Sequence, residues 1–395
     1  MKSMSRHTAH SLERGSSAAL VFGLVAFAAV AVPASASASA GGSSVTGHVY
    51  VNDNTAGTNT IGAFDRHSDG TLTPEPGSPF PAGGAGTGAG LASQGAIQFA
   101  AGGRLVLAAD AASNQISVLR VNRNGSLSPV PGGVVSSGGA TPVSIAVHGT
   151  LVYVANAGTA ATNYTGFRLG RGGQLFRIPG STVTLPSAAQ PGDVLFNGTG
   201  TKLVGTRVGT SQIDSFTVGF GGRLTPARGS PFQAQGLGPF GSEFRPTHPS
   251  QLFVSNAHNT AADSGTISAF TDSRGTLTPV AGSPFADDQM APCWVEITHD
   301  GRFLFTVNTA SGTISRFSIA VGGELTLLGS TPVAATGGVG AVDARLSPDV
   351  RYLYVDESKI GSVGVFVVHG GSLTELPSSP VKLPAGAAPA GVIAS

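Results

Sequence analysis

Three charged residues occupy equivalent positions in three successive short strands predicted from the sequence. They are Glu243, Glu296 and Arg345. An arginine placed between two carboxylates keeps them ionised and offers a binding site for a polar ligand. A carboxylate there can activate water, and the arginine can hold a substrate carboxylate or an oxyanion. The alternative interpretation is a buried salt bridge that only fixes packing.

The same position recurs in every repeat described below, and we name it the inner-strand position. Around the molecule it reads Gln98, Ala146, Leu195, Glu243, Glu296, Arg345 and Ile393. Because this position is small or apolar in most propellers of this type, the three charged members stand out, and Gln98 is a fourth polar candidate for ligand binding.

Further candidates lie at strand ends and in turns. Glu357 is a possible catalytic carboxylate, Arg207 a possible ligand for a substrate carboxylate, and His148 a possible binding residue in a turn. Solvated side chains explain Arg207 and His148 equally simply. The lone Cys293 has no base near it in sequence and is interpreted as a small buried hydrophobe.

Several kinds of site are not indicated. The histidines lack zinc-like spacing, and there is no nucleophile elbow, P-loop or dinucleotide-binding fingerprint. We therefore predict no cofactor and no metal. The formal net charge is +1 and basic residues are scattered, so nucleic acid is not an expected partner.

The elements that position these residues follow from an internal repeat. A Gly-x-Leu pair, which suits a hairpin turn and a returning strand, occurs seven times. Its leucines are Leu72, Leu127, Leu175, Leu224, Leu277, Leu325 and Leu373, which are 55, 48, 49, 53, 48 and 48 residues apart. Each unit has room for four strands, and this period is typical of propeller blades, whereas a β-sandwich needs a longer repeat and a β-helix a shorter one.

The sequence therefore predicts an all-β fold, a seven-bladed β-propeller of four-stranded antiparallel blades. The first unit lacks its first strand, and the chain closes with an orphan strand at residues 390–395. We expect that C-terminal strand to complete the first blade, which removes both exposed edges.

The N-terminal 40 residues are predicted to be a signal peptide, and residues 41–395 a single propeller domain. Lys2, Arg6 and Arg14 form a basic region, residues 18–32 are apolar but short for a membrane span, and small residues follow. We expect a secreted, extracellular monomer without a membrane segment once the signal is cleaved.

The repeats also resemble a known family, the lactonase family of seven-bladed propellers, which includes 6-phosphogluconolactonase and the carboxymuconate cyclases. Three kinds of stretch carry the resemblance: Tyr153 to Gly158, Asp300 to Phe305, and Ser347 to Val355. A secreted bacterial branch is similar at Ser93-Gln94-Gly95-Ala96, at Pro142 to Gly149, and at Ala291-Pro292-Cys293-Trp294-Val295.

The resemblance implies chemistry by His, Arg and Glu around the mouth of the central channel. Of the family's polar pairs at second-strand ends, this chain retains a similar one at Asp356-Glu357. Two functions follow as hypotheses. The first is hydrolysis or formation of a lactone ring, with a small-molecule lactone as partner. The second is a non-catalytic extracellular scaffold that binds a glycan, a cell-wall component or another protein.

Overall fold

The seven repeats fold into seven antiparallel sheets arranged in a ring. The structure is a computed structural model that describes residues 43–258, 261–333 and 340–395, so the predicted signal peptide lies outside the described residues. Each innermost strand contacts the innermost strands of the two neighbouring sheets, and the last contacts the first. This continuous ring confirms the predicted seven-bladed β-propeller. Within the described ranges, no helix has the length and apolar character needed to cross a membrane.

Blade 1 combines the two ends of the described chain. It contains β1 (Val45–Asn52), β2 (Gly57–His67), β3 (Leu72–Pro74), β4 (Phe80–Gly86) and β34 (Val392–Ala394). Strand β34 is innermost and pairs antiparallel with Val49–Val51 of β1. The predicted closure by the C-terminal strand is therefore confirmed.

Blades 2 to 7 repeat one strand order from the channel outward. The innermost strands are β5 (Ile97–Ala100), β10 (Pro142–His148), β15 (Pro191–Phe196), β20 (Pro239–Arg245), β25 (Pro292–Ile297) and β29 (Ala341–Leu346). The second strands are β6 (Leu105–Asp110), β11 (Leu151–Asn156), β16 (Lys202–Arg207), β21 (His248–Asn256), β26 (Phe303–Asn308) and β30 (Tyr352–Glu357).

The outer strands complete these blades. The third strands are β7 (Gln115–Val121), β12 (Asn163–Leu169), β17 (Gln212–Val218), β22 (Thr266–Ser273), β27 (Thr313–Ile319) and β31 (Ser362–His369). The fourth are β8 (Leu127–Pro129), β13 (Leu175–Arg177), β18 (Leu224–Pro226), β23 (Thr276–Pro279), β28 (Leu325–Pro332) and β32 (Ser372–Glu375).

Most blades also carry a short fifth strand that the sequence did not predict. It follows the Pro/Gly/Ser break and pairs with the third strand as β9 (Val135–Ser136), β14 (Val183–Thr184), β19 (Phe232–Gln233), β24 (Phe285–Ala286) and β33 (Val381–Lys382), and as β4 in blade 1. Two short 3-10 turns, Val208–Thr210 and Phe220–Gly222, lie in blade 4.

The Gly-x-Leu pairs do what their residue types predict. Gly70, Gly125 and Gly275 have φ of 85°, 87° and 89°, a region in which a side chain is strained. In six of the seven pairs the leucine is buried, and Leu127 and Leu277 pack against the neighbouring blade; Leu224 is partly buried. The turn therefore sets each hairpin, and the leucine helps to fasten one blade to the next. Blade 7 differs slightly, since Gly370 rather than Gly371 has the positive φ, at 57°.

Candidate functional site

The inner-strand position is structurally equivalent in all seven blades. Glu243, Glu296 and Arg345 pair with Phe253, Phe305 and Tyr354 at the same register of the second strand. Gln98, Ala146, Leu195 and Ile393 have the same register with Leu107, Tyr153, Val204 and Tyr50. Because neighbouring innermost strands are in contact, charged residues at this position in blades 5, 6 and 7 come together.

Glu296 and Arg345 form an ion pair in the channel. Arg345 Nη1 lies 3.3 Å from Glu296 Oε2, and the Glu296 side chain is 7% exposed while that of Arg345 is 26% exposed. Glu296 Oε1 accepts a hydrogen bond of 3.0 Å from the Leu346 backbone N–H. Glu243 repeats this arrangement one blade earlier, since the Ile297 backbone N–H bonds to its carboxylate. Each carboxylate thus reaches across to the next inner strand.

Burial and mutual repulsion disturb the ionisation of this trio. Burial raises the pKa of Glu243 well above its usual range, and the nearby Glu296 charge raises it further, against the opposing effect of Arg345. Burial also raises the pKa of Glu296, and Arg345 and the Leu346 N–H oppose that rise. The carboxylates hold the pKa of Arg345 above its usual value. One guanidinium cannot neutralise both glutamates, and the pKa of Glu243 is the one raised well above its usual range.

Two further buried acids, which the sequence analysis missed, face the same arginine. Asp193 and Asp343 lie two residues before Leu195 and Arg345, and both act electrostatically on Arg345. Asp193 accepts hydrogen bonds from Ser144 Oγ at 3.1 Å and Ser242 Oγ at 2.6 Å, and burial raises its pKa to about 6. Burial raises the pKa of Asp343 to about 7. Side chains alternate between the two faces of a strand, so residues i and i+2 share a face. That alternation was the sequence signal that could have identified these two acids.

A loop segment crosses the channel next to these acids. We call residues 91–95 the plug; it lies between β4 and β5. Gln94 Nε2 donates to the Ser242 carbonyl at 3.2 Å and to the Val295 carbonyl at 3.3 Å, and Gln94 Oε1 accepts the Val295 N–H at 3.0 Å. The Gln94 N–H donates to the Gly192 carbonyl at 3.0 Å. One residue therefore bonds to blades 4, 5 and 6.

The neighbours of Gln94 extend the plug to the remaining sides. Trp294 Nε1 donates to the Ser93 carbonyl at 2.8 Å, and Ser93 Oγ donates to the Val143 carbonyl at 2.8 Å. The Gly95 carbonyl accepts the Ile145 N–H at 2.9 Å. The three stretches that resemble the secreted branch thus meet in space as the plug and the strands that hold it. The plug therefore connects the innermost strands of blades 3 to 6.

An apolar cavity lies beside the plug, at the end of the channel where the innermost strands begin. It has a volume of about 240 Å³, and its walls include Leu91, Phe240, Cys293 and Trp294. The Phe240 and Trp294 rings meet edge to face at 5.1 Å between centroids. Burial raises the pKa of the Cys293 thiol to about 11, so the thiolate needed of a nucleophile is disfavoured. Cys293 is buried, as interpreted from the sequence.

The charged trio lies on the other side of the plug. The plug contacts Trp294 and Val295, which precede the inner-strand position of blade 6. His299 follows that position, and its charge favours the ionised form of Glu296. His299 is exposed. Arg345 is partly exposed to the channel. Of the two ends of the channel, the end beside His299 is therefore nearer to the trio.

Glu357 and Arg207 are placed apart from the trio. Glu357 ends a second strand, is fully buried, and senses the charges of Glu375 and Lys382 on the outer strands of blade 7. Burial raises its pKa to about 7. By register it occupies the position of Asn256 and Asn308 in earlier blades, since each of the three pairs with the first residue of the adjacent innermost strand.

Arg207 forms an ion pair inside blade 4. Its Nε and Nη2 donate to Asp214 Oδ2 and Oδ1, each at 2.6 Å, and Tyr164 Oη donates to the same carboxylate at 3.1 Å. A side chain held in this bidentate way is engaged in packing two blades.

His148 and Gln98 sit at two levels of the channel wall. His148 ends β10 and is exposed, with its ring 6.1 Å from that of Phe196. Gln98 shares the inner-strand position with the trio and is partly buried in blade 2. Of the two, Gln98 is the one that shares a level with Glu296 and Arg345.

Comparison with known proteins supports the fold and its family type. A family model described as "Lactonase, 7-bladed beta-propeller" matches residues 243–389, which contain all three members of the trio. The resemblance expected from the sequence is thereby confirmed. Comparison with curated proteins finds no match.

Solved structures share the architecture at low sequence identity. A putative 6-phosphogluconolactonase from Bacteroides fragilis is 19% identical with a TM-score of 0.70, covering 88% of this chain and 98% of its own. A periplasmic gluconolactonase from Pseudomonas aeruginosa is 16% identical with a TM-score of 0.68, covering 88% and 98%. A putative 6-phosphogluconolactonase from Bacteroides uniformis is 18% identical with a TM-score of 0.67, covering 88% and 99%.

Proposed function

We propose, from the premise that this chain is a lactonase-like seven-bladed β-propeller, that its channel hydrolyses a lactone ring. One observation carries the proposal: Glu296 and Arg345 are paired at 3.3 Å beside Glu243, in equivalent positions of three adjacent blades, and burial together with the Glu296 charge raises the pKa of Glu243. A general base, a fixed cation and a general acid can together catalyse ester hydrolysis.

The reaction balances with these residues alone. Glu296 takes a proton from water as the water oxygen attacks the lactone carbonyl carbon. Arg345 stabilises the resulting oxyanion. The ring C–O bond then breaks, and the leaving alkoxide takes the proton of Glu243, which gives a hydroxy acid. Transfer of the proton from Glu296 to Glu243 restores the starting state, and the reverse sequence closes a lactone.

Three unbonded atoms support a site for a polar ligand. Glu243 Oε2 and Arg345 Nε are buried without a hydrogen-bond partner among the described residues, and Glu296 Oε2 has only its ion pair. Buried polar atoms without partners carry a free-energy cost that a bound substrate or water removes. The substrate would enter from the end beside His299, because the plug crosses the other side. We also propose that the protein works outside the cell, on a lactone present there.

The test is hydrolysis of a panel of lactones by protein lacking residues 1–40. We expect Glu296→Gln and Glu243→Gln each to lower kcat/KM by about 100-fold or more, the range for removal of a general base or acid. Gln174→Ala, a variant of a turn residue in blade 3, serves as the matched control and should keep full activity. Turnover that survives Glu296→Gln would remove the trio from the mechanism.

A second candidate function rests on the apolar cavity at the plugged end. As a non-catalytic scaffold, the protein would hold an apolar or aromatic part of an extracellular glycan, cell-wall component or protein against Phe240 and Trp294. Absence of turnover for every lactone, together with binding that Phe240→Ala abolishes, would favour this function instead.

A further inference from the structure

A second cluster of chemically active side chains lies between blades 1 and 2, away from the channel trio. His48 on β1 and Asp65 on β2 are directly paired across the two strands. Glu75 follows β3 by one residue. One ligand atom from each of the three residues lies within 4.8 Å of the others. Three neighbouring strands therefore present one nitrogen and two carboxylates to a single point.

The contact between His48 and Asp65 lacks the geometry of a hydrogen bond. Nδ1 of His48 lies 3.1 Å from Asp65 Oδ1, yet it is buried without a hydrogen-bond partner in the described part of the chain. A ring nitrogen and a carboxylate oxygen that are close together without a hydrogen bond can both act as ligands of one cation. Two ligands of one tetrahedral metal ion with bonds of about 2.0–2.1 Å lie roughly 3.3 Å apart, which is close to this separation.

Glu75 adds a second, more deeply buried carboxylate. The residue is 3% exposed, and Asn124 Nδ2 of blade 2 donates to its Oε1 at 3.2 Å. Burial and the facing Asp65 raise the pKa of Glu75 to about 7. The Asn124 bond orients the carboxylate, and Asp65 is its other side-chain partner. Residues that bond to metal ligands commonly fix their orientation in this way.

Blade 2 closes the cluster from the opposite side. Tyr50 Oη donates to the Gly125 carbonyl at 2.7 Å, and a Cβ at Gly125 would overlap the His48 ring. The turn at Asn124 and Gly125 is thus shaped around the imidazole. A cation here would be held by blade 1 and enclosed by blade 2.

We propose that His48, Asp65 and Glu75 form a binding site for a divalent metal ion such as Zn²⁺, on the face of blade 1 that packs against blade 2. An imidazole with two carboxylates is a ligand set that zinc accepts, and a water would complete the coordination. The sequence analysis predicted no metal because the three ligands are only brought together by strand pairing and have no recognisable spacing.

The experiment is zinc titration of untagged, chelator-treated protein by calorimetry, with thermal unfolding measured in parallel. We expect one tight site, and a rise in Tm of about 3 °C when zinc is at 100 times its Kd. Cobalt in place of zinc should give the visible absorption of a tetrahedral site.

Variants decide between this site and adventitious binding. His48→Ala and Glu75→Gln should each weaken zinc binding by at least about 10-fold. The second variant conserves size and the Asn124 contact, so it should stay folded even if the first does not. His369→Ala, which removes an exposed histidine of blade 7, should bind zinc like the parent. The proposal is overturned if the parent shows no saturable site, or if Glu75→Gln binds zinc with the parent's affinity.

Discussion

At the scale of single residues, Arg345 is a cation on which the charges of four carboxyl groups act. Glu296, Asp343, Glu243 and Asp193 all stabilise its charged form. Burial raises the pKa of each carboxyl, the four carboxylates repel one another in the desolvated channel, and one guanidinium offsets only part of these effects.

Removal of this cation should make stability depend on pH. In Arg345→Ala the folded-state pKa of Glu296 and Glu243 rises further above the roughly 4.3 of a free Glu. The folded state then binds more protons than the unfolded state between about pH 4 and 7, so its stability relative to the parent falls as pH rises. Urea unfolding of both proteins across that range measures this.

The double variant Arg345→Ala/Glu296→Gln tests whether the residues share one site. It should recover part of the lost stability, since one of the repelling carboxylates is gone. Simple additivity of the two single substitutions throughout the pH range would mean that they do not interact.

The sequence was sufficient to bring the trio together but not to find its surroundings. Equivalent positions in a repeat must converge around a ring, so Glu243, Glu296 and Arg345 could be aligned without coordinates. Asp193 and Asp343 were missed because the alignment followed one position per strand. Arg207 was predicted to bind a ligand because its partner Asp214 could not be identified from the sequence. Asp214 lies on the next strand, and only the register of the folded sheet brings the two residues together.

At the scale of elements, the plug is the feature with no periodic signal. Strands and hairpins were predictable because Gly-x-Leu recurs and because alternation marks each strand. Residues 91–95 form an irregular segment whose conformation is set by partners in distant blades, such as Val143 and Val295. Such long-range hydrogen bonds leave no local pattern in sequence, although the Ser93 to Ala96 stretch had already stood out.

Truncation of Gln94 should loosen this end of the channel. Gln94→Ala removes the acceptor of the Val295 N–H and the donor to two carbonyls, which leaves buried backbone groups unpaired at a cost of about 1–3 kcal/mol. Chemical denaturation should show the loss, and hydrogen exchange at the Val295 amide should quicken. Gln233→Ala on an exposed strand is the control; equal stability of the two variants would show that the plug is not held by Gln94.

At the scale of the whole molecule, the described residues bury an unusual number of acids without matching cations. Burial raises the pKa of Asp53, Asp287, Asp343 and Glu357 each to about 7. When folding raises the pKa of a carboxyl, the folded state binds the proton more tightly than the unfolded state does. The free energy of unfolding therefore decreases as pH rises from the unfolded-state pKa near 4 to the folded-state value.

The protein should therefore be more stable in mild acid than in mild base. With metal removed by chelator, we expect a higher Tm at pH 5 than at pH 8. Asp287→Asn should shrink the difference, because its buried carboxyl no longer titrates. Asp69→Asn should not shrink the difference. Thr71 donates a hydrogen bond to the exposed Asp69 carboxylate and holds the pKa of that carboxyl below its usual value. A Tm that is higher at pH 8 would contradict the prediction.

The closing strand of blade 1 has a consequence for how the protein is made. The Ser395 N–H donates to the His48 carbonyl at 2.8 Å, and the His48 N–H donates to Ser395 Oγ across 347 positions of sequence. At roughly 5–20 residues per second, a ribosome finishes β34 about 20–70 seconds after β1. Throughout that time β1 keeps an open edge to which strands of other nascent chains can pair. The ring can therefore close only once β34 has been synthesised, and until then the open edge of β1 is the part of the fold most exposed to aggregation.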